Sequence, residues 1–214
     1  MSKDPSALVR QLAQDDPLRD LVIRCASTFL NLVLAVFNVV VAQSQHSLWG
    51  YAMAGYFGVL TVMGSFVAVC MRHAERYPVR RILRFCAICF GALAIALGVL
   101  MAVCVSQQRR EEIPQIMMIA MATLTFCTTG MAIADATRLH NGTPLEQIIA
   151  RVSIASAVGA MLVLEIQMLG TFGDPSGKLA FVLETASGAV AVIIVLLMSG
   201  SLLKRAASYP ADQR

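Results

Sequence analysis

Two carboxylates stand where carboxylates are costly. Glu165 and Glu184 each lie inside a long apolar run, and the link Gly170–Lys178 separates the two runs. At a rise of ~1.5 Å per residue, both side chains sit roughly 7–8 Å inside the same end of two antiparallel helices. Even on the lenient insertion scale, an acid in hydrocarbon costs on the order of 2.5–3.5 kcal/mol, so two at matched depth call for a reason. A carboxyl in such a place can exchange a proton or hold a cation, which is the chemistry of coupled transport. Ser187 shares the face of Glu184, together with Gly188 and Ala191, and Thr125 and Thr128 lie at helical-face spacing in an earlier run. Glu165, Glu184, Ser187, Thr125 and Thr128 therefore form the candidate proton, cation or substrate site. Two amides, Asn31 and Asn38, are seven residues apart and share a face of the first run. Buried amides of this kind hydrogen-bond neighbouring helices.

Other reactive residues do not assemble into a site. The pair Cys86-x-x-Cys89 lacks the further ligands that zinc needs, because His46, His73 and His140 do not complete a set around it. These cysteines read as packing residues, and no metal or cofactor is expected. There is no nucleophile with a base and an orienting partner, no glycine-rich phosphate loop and no haem-ligating histidine pair, which argues against an enzyme. The basic patch Arg72, Arg76, Arg80, Arg81 and Arg84 can contact lipid phosphate or a partner, but its simplest role is to set orientation.

The elements that must position these residues are membrane spans. Of the 214 residues, 57% are hydrophobic and only 14% charged, and the charges cluster between apolar runs. Crossing a ~30 Å hydrocarbon core takes ~20 residues, and six runs qualify. They are Cys25–Ala42, Leu48–Cys70, Phe85–Val105, Gln115–Ala134, Val152–Gly170 and Leu179–Leu203. With these boundaries, no acid besides Glu165 and Glu184 lies well inside a span. The expected fold is an all-α bundle of six transmembrane helices over residues 25–203. A short N-terminal segment (residues 1–24) precedes it and a tail (residues 204–214) follows.

Fourteen of the seventeen Lys and Arg residues fall on the side of the two termini; Arg109, Arg110 and Lys178 fall on the other. That asymmetry predicts cytoplasmic N- and C-termini. The net charge of +4 then serves topology and attraction to anionic lipid, without a nucleic-acid partner. The bilayer is the expected environment. Six short helices enclose only a narrow path, so a homodimer or another membrane partner is a further expectation.

Local signals fix several helix ends. Asp4-Pro5 predicts a short helix to about Gln14, and Asp16-Pro17 opens a second helix that runs into the first span. The link Gln43–Ser47 is short enough for a tight hairpin. Trp49, Tyr51 and Tyr56 fit an interfacial aromatic belt. Ala54/Gly58, Gly64/Ala68, Ala87/Gly91 and Ala94/Gly98 are small-residue steps that permit close helix approach. Thr143, Pro144 and Glu146 make a capping box at the start of the fifth helix. Arg151, one turn further on, is placed to reach back toward head groups.

Several of these pieces together look familiar: Asn31-Leu32, Ser47-Leu48-Trp49, Ala54-Gly55-Tyr56, Thr143-Pro144, Met161-Leu162 through Thr171-Phe172-Gly173, and Ser187-Gly188. The pattern resembles a group of small six-span bacterial integral membrane proteins without an assigned activity. The resemblance implies multi-pass insertion in a bacterial cytoplasmic membrane, with uncharged polar residues near positions 165 and 184, from which the two acids depart. Two function classes follow. One is a small permease or channel-like transporter with an outer acidic site. The other is a non-transporting accessory, sensor or scaffold subunit that recruits a partner through its Arg-rich face. A polar cavity reaching Glu165 and Glu184 favours the first; a solid apolar core favours the second.

Overall fold

The computed structural model describes residues 16–72, 78–107, 115–138, 143–172 and 178–208. The expected helix Pro5–Gln14, Arg76 and the centre of the Gly170–Lys178 link lie outside them. The described residues form six helices: α1 (Asp16–Gln45), α2 (Leu48–Arg72), α3 (Val79–Gln107), α4 (Gln115–Arg138), α5 (Pro144–Phe172) and α6 (Lys178–Ser208). Each contains a stretch long and apolar enough to cross a membrane. Their outward faces are as apolar as their inward ones: Val62, Ile116, Phe126 and Leu197 are 68–82% exposed. Such surfaces suit lipid contact rather than water.

The expected starts at Asp16 and Pro144 hold. At α5, the Thr143 amide donates to Glu146 Oε2 at 2.8 Å, and the Glu146 amide donates to Thr143 Oγ1 at 3.4 Å. Two of the helix's first amides are thereby satisfied reciprocally. The hairpin between α1 and α2 is tighter than the five-residue link suggests. His46 adopts φ 51°, and the Ser47 amide donates back to the Ala42 carbonyl at 3.0 Å, closing a Schellman turn. Ser47 Oγ then accepts from the Gly50 amide at 3.1 Å and caps α2. The helices touch here: a Cβ on Gly50 would stand 2.7 Å from Ala42 Cβ.

Three antiparallel pairs build the bundle: α1 with α2, α4 with α5, and α3 with α6. α5 touches all five other helices and is the most buried; α6 is the least. The α5–α6 hairpin expected from the short link does form a contact, but α6 packs chiefly on α3. Ser199 Oγ donates to the Ala87 carbonyl at 2.7 Å, Gly91 admits Ser199, and Gly98 faces Val192. The α3 small-residue steps thus meet α6. The aromatic-belt expectation needs one correction. Tyr51 is exposed, but Tyr56 is 4% exposed and sits in the core, where its hydroxyl donates to the Ala155 carbonyl at 2.9 Å. Its neighbours there include Phe57, Leu60 and Met53. A phenol can enter such a core because its one polar atom has found an acceptor.

Candidate functional site: a buried carboxylate among hydroxyls

An acid that the span boundaries excluded is the most buried one among the residues whose side chains are described. Asp135 is one residue past the expected end of the fourth span, yet α4 continues to Arg138 and Asp135 is 3% exposed. Asp135 is not well inside a span, being three residues from the end of α4, but burial by neighbouring helices rather than depth sets it apart, and the expected span boundaries do not register it. The Ser153 hydroxyl of α5 donates to Asp135 Oδ2. Ser153 Oγ also lies 3.0 Å from Ser27 Oγ of α1. With the Ser153 proton directed at Asp135, Ser27 is the donor to Ser153, and the two hydroxyls form a relay ending on the carboxylate.

A second polar bridge lies one turn further along α5. Ser156 Oγ donates to Asn31 Oδ1 of α1, so Asn31 does bond a neighbouring helix as expected. Asn38 instead turns back on its own helix, with Nδ2 donating to the Leu34 carbonyl at 2.8 Å. Ser27, Leu30, Thr128, Met131, Ser153 and Ser156 surround a cavity of ≈ 10 Å³. That is about the space needed by one water, and the lining offers it several hydroxyl partners.

Thr125 and Thr128 extend the polar layer along α4. Both are buried. Thr125 Oγ1 bonds the Met121 carbonyl at 2.9 Å and approaches the Ala160 carbonyl of α5 at 3.4 Å. Thr128 Oγ1 bonds the carbonyls of Leu124 and Thr125 at 3.0 and 2.9 Å. Of the five residues expected to form one site, Thr128 lines the space beside Ser153, and Thr125 lies one turn away on α4. The other three lie elsewhere. Glu165 and Glu184 are both half-buried, toward the far end of α5 and the start of α6. Glu184 continues the stripe Gly188–Ala191–Val195–Ser199, which packs on α3 through Gly188 against Met101 and Ser199 against Ala87. Ser187 Oγ donates to the Glu184 carbonyl at 3.3 Å, within its own helix. Among the described residues no hydrogen bond joins Glu165 to Glu184.

The Arg-rich patch is likewise divided. Arg81 and Arg84 are exposed, whereas Arg80 is half-buried and its Nε is shielded from solvent without an acceptor. Cys86 is buried in the core and Cys89 packs against it, which is ordinary apolar packing. The signal for Asp135 was present in the sequence. It follows Thr128 by seven residues, on one helical face, and Ser153 and Ser156 stand across a short link.

The fold and site together define a bundle of six helices, each long and apolar enough to cross a membrane, with a buried carboxylate that accepts a hydrogen bond from a serine hydroxyl. No known protein family, no curated protein and no solved structure matches this chain.

Proposed function

We propose that the chain is a small proton- or cation-coupled permease of a bacterial cytoplasmic membrane, with both termini cytoplasmic, and that it is not an enzyme. The observation that carries this reading is the Asp135 carboxylate, 3% exposed and hydrogen-bonded by Ser153 beside a cavity with room for about one water. An ionisable group kept inside a membrane bundle at such cost is by default part of an ion path. The Ser27–Ser153 relay supplies a route for a proton, and Thr128 and the Asn31–Ser156 bridge continue polar contacts toward the bundle centre. Glu165 and Glu184 would then be acidic residues at the opposite, outer mouth. Space for about one water beside the hydroxyls suits a proton carried along a hydrogen-bonded chain.

The test is flux in proteoliposomes under an imposed pH, Na⁺ or K⁺ gradient, read by an internal dye. Wild type should conduct above empty vesicles, Asp135→Asn should not, and Asp135→Glu should retain part of the flux. Equal rates for wild type and Asp135→Asn would remove Asp135 from the path.

One observation favours the second class, a non-transporting accessory subunit. Apart from this polar layer the centre is closed by large apolar side chains, including Phe57, Leu60, Phe90 and Met121. Under that reading, wild-type vesicles show no flux, and native mass spectrometry finds a stoichiometric protein partner.

A further inference from the structure

Two arginines near one end of the bundle each hold a buried guanidinium nitrogen that has no acceptor among the described residues. Arg80 lies in the first turn of α3, and Arg151 lies about two turns into α5. Both side chains are half-buried, and Arg80 Nε and Arg151 Nη1 are shielded from solvent with no hydrogen-bond partner. A third cation adds to the problem. Arg205, exposed in the last turn of α6, adds a like charge on the same side of the bundle as Arg151.

Register brings Arg80 to the same place. Ser199 bonds the Ala87 carbonyl, which fixes α3 and α6 in antiparallel alignment at that level. Seven residues back along α3 is Arg80, and seven residues forward along α6 is Ala206, next to Arg205. Each step is roughly 10 Å along its axis, so the two reach one level. Arg80 also shares the helical stripe of Leu83 and Ala87 that faces α6. Three arginines from α3, α5 and α6 thus gather where those helices meet, at head-group depth. Desolvated guanidinium nitrogens and mutual repulsion are both relieved by the same object, an anion with several acceptor oxygens.

We propose that Arg80, Arg151 and Arg205 form a site for a phosphate-bearing anion, wedged between α3, α5 and α6. The planar donor fork of arginine matches tetrahedral oxyanions, and basic pockets between helices at the cytoplasmic face suit phosphodiester head groups. The phosphate can come from an anionic phospholipid or from a free phosphate species. This site is independent of the ion path at Asp135, and it gives a part of the Arg-rich segment a specific ligand beyond orientation.

Native mass spectrometry and thermal unfolding of the full chain in phosphatidylcholine nanodiscs separate the sources. One arm titrates phosphatidylglycerol; the other adds inorganic phosphate. Phosphatidylglycerol is expected to be retained and stabilising, with apparent affinity on the order of fivefold weaker in Arg80→Gln and in Arg151→Gln. Arg81→Gln, exposed and one residue away, should bind as wild type does. Arg151→Lys keeps the charge and the fold but loses the fork, and should bind more weakly than wild type. Stabilisation by inorganic phosphate alone, with the same dependence on Arg80 and Arg151, assigns the site to a soluble phosphate. The proposal is overturned by equal binding in wild type, Arg80→Gln and Arg151→Gln, or by stabilisation from neither anion.

Discussion

Tyr56 of α2 fits against Gly159 of α5 so closely that an added Cβ would stand 2.6 Å from its Cε1. The same ring carries the hydroxyl that bonds Ala155, one turn earlier on α5. A rigid aromatic ring cannot swing aside as a long aliphatic chain can. Gly159→Ala should therefore cost about 1–3 kcal/mol through overpacking, outweighing the up to ~1 kcal/mol that alanine gains in helix propensity. Tyr56→Phe keeps the ring and loses the hydrogen bond, at about 0.5–1.5 kcal/mol. Thermal unfolding in detergent should rank Gly159→Ala below Tyr56→Phe, and both below wild type.

Gly188 offers a contrast. A Cβ there would overlap Met101 Cε and press on its Cγ and Sδ at 3.1 Å, but the obstacle is one unbranched, flexible side chain. Gly188→Ala should be tolerated within about 1 kcal/mol, given the same gain in helix propensity. A loss as large as that of Gly159→Ala would mean that Met101 is held rigidly.

Asp135 and Ser153 should behave as a coupled pair. Ser153→Ala removes one hydrogen bond to a buried carboxylate, a loss of about 1–3 kcal/mol. In an Asp135→Asn background the same change should cost less, and the double-mutant cycle should give a coupling of about 0.5–3 kcal/mol. Additive losses would show that the hydroxyl does not serve the carboxylate.

The proposed topology is checked by reporter fusions. Fusions after Ser106 and Gly173 should report the outside, and those after Tyr77 and Asn141 the inside, following the basic asymmetry. A cytoplasmic signal at Gly173 would invert the bundle and place the arginine cluster on the outer face.

The six helices were legible because each is an apolar run of membrane-crossing length bounded by charges. The capping box was legible because it is local: Thr143 and Glu146 find each other three residues apart. Helix partners were not. A span that is apolar on every side does not announce which face meets which helix, and chain order pointed α6 to α5 although its chief partner is α3. The small steps Ala87/Gly91 and Ala94/Gly98 marked a contact face on α3 without naming Ser199 and Val192 as what fills it. Tyr56 was assigned by type to the interface, when its position opposite a glycine decided its burial.

Within the candidate site, Thr125, Thr128 and Asn31 were legible as polar residues in apolar runs. Asp135 was missed by one residue. Hydropathy ends a span where the first charge appears, whereas the helix ends where its hydrogen bonds do, and that lies beyond Asp135. An acid at such a border reads as part of a loop until a neighbouring helix is seen to cover it.

The pairing of α3 with α6 bears on how the chain is made. Ala87 and Ser199 are 112 residues apart, so the face of α3 that Ser199 closes leaves the ribosome long before its counterpart exists. α1 with α2 and α4 with α5 can zip up as each hairpin emerges; α3 must wait in the lipid with its small-residue face bare. Assembly thus finishes with a late clasp, and a nascent chain released before α6 is complete would be a substrate for membrane quality control rather than a shorter working protein.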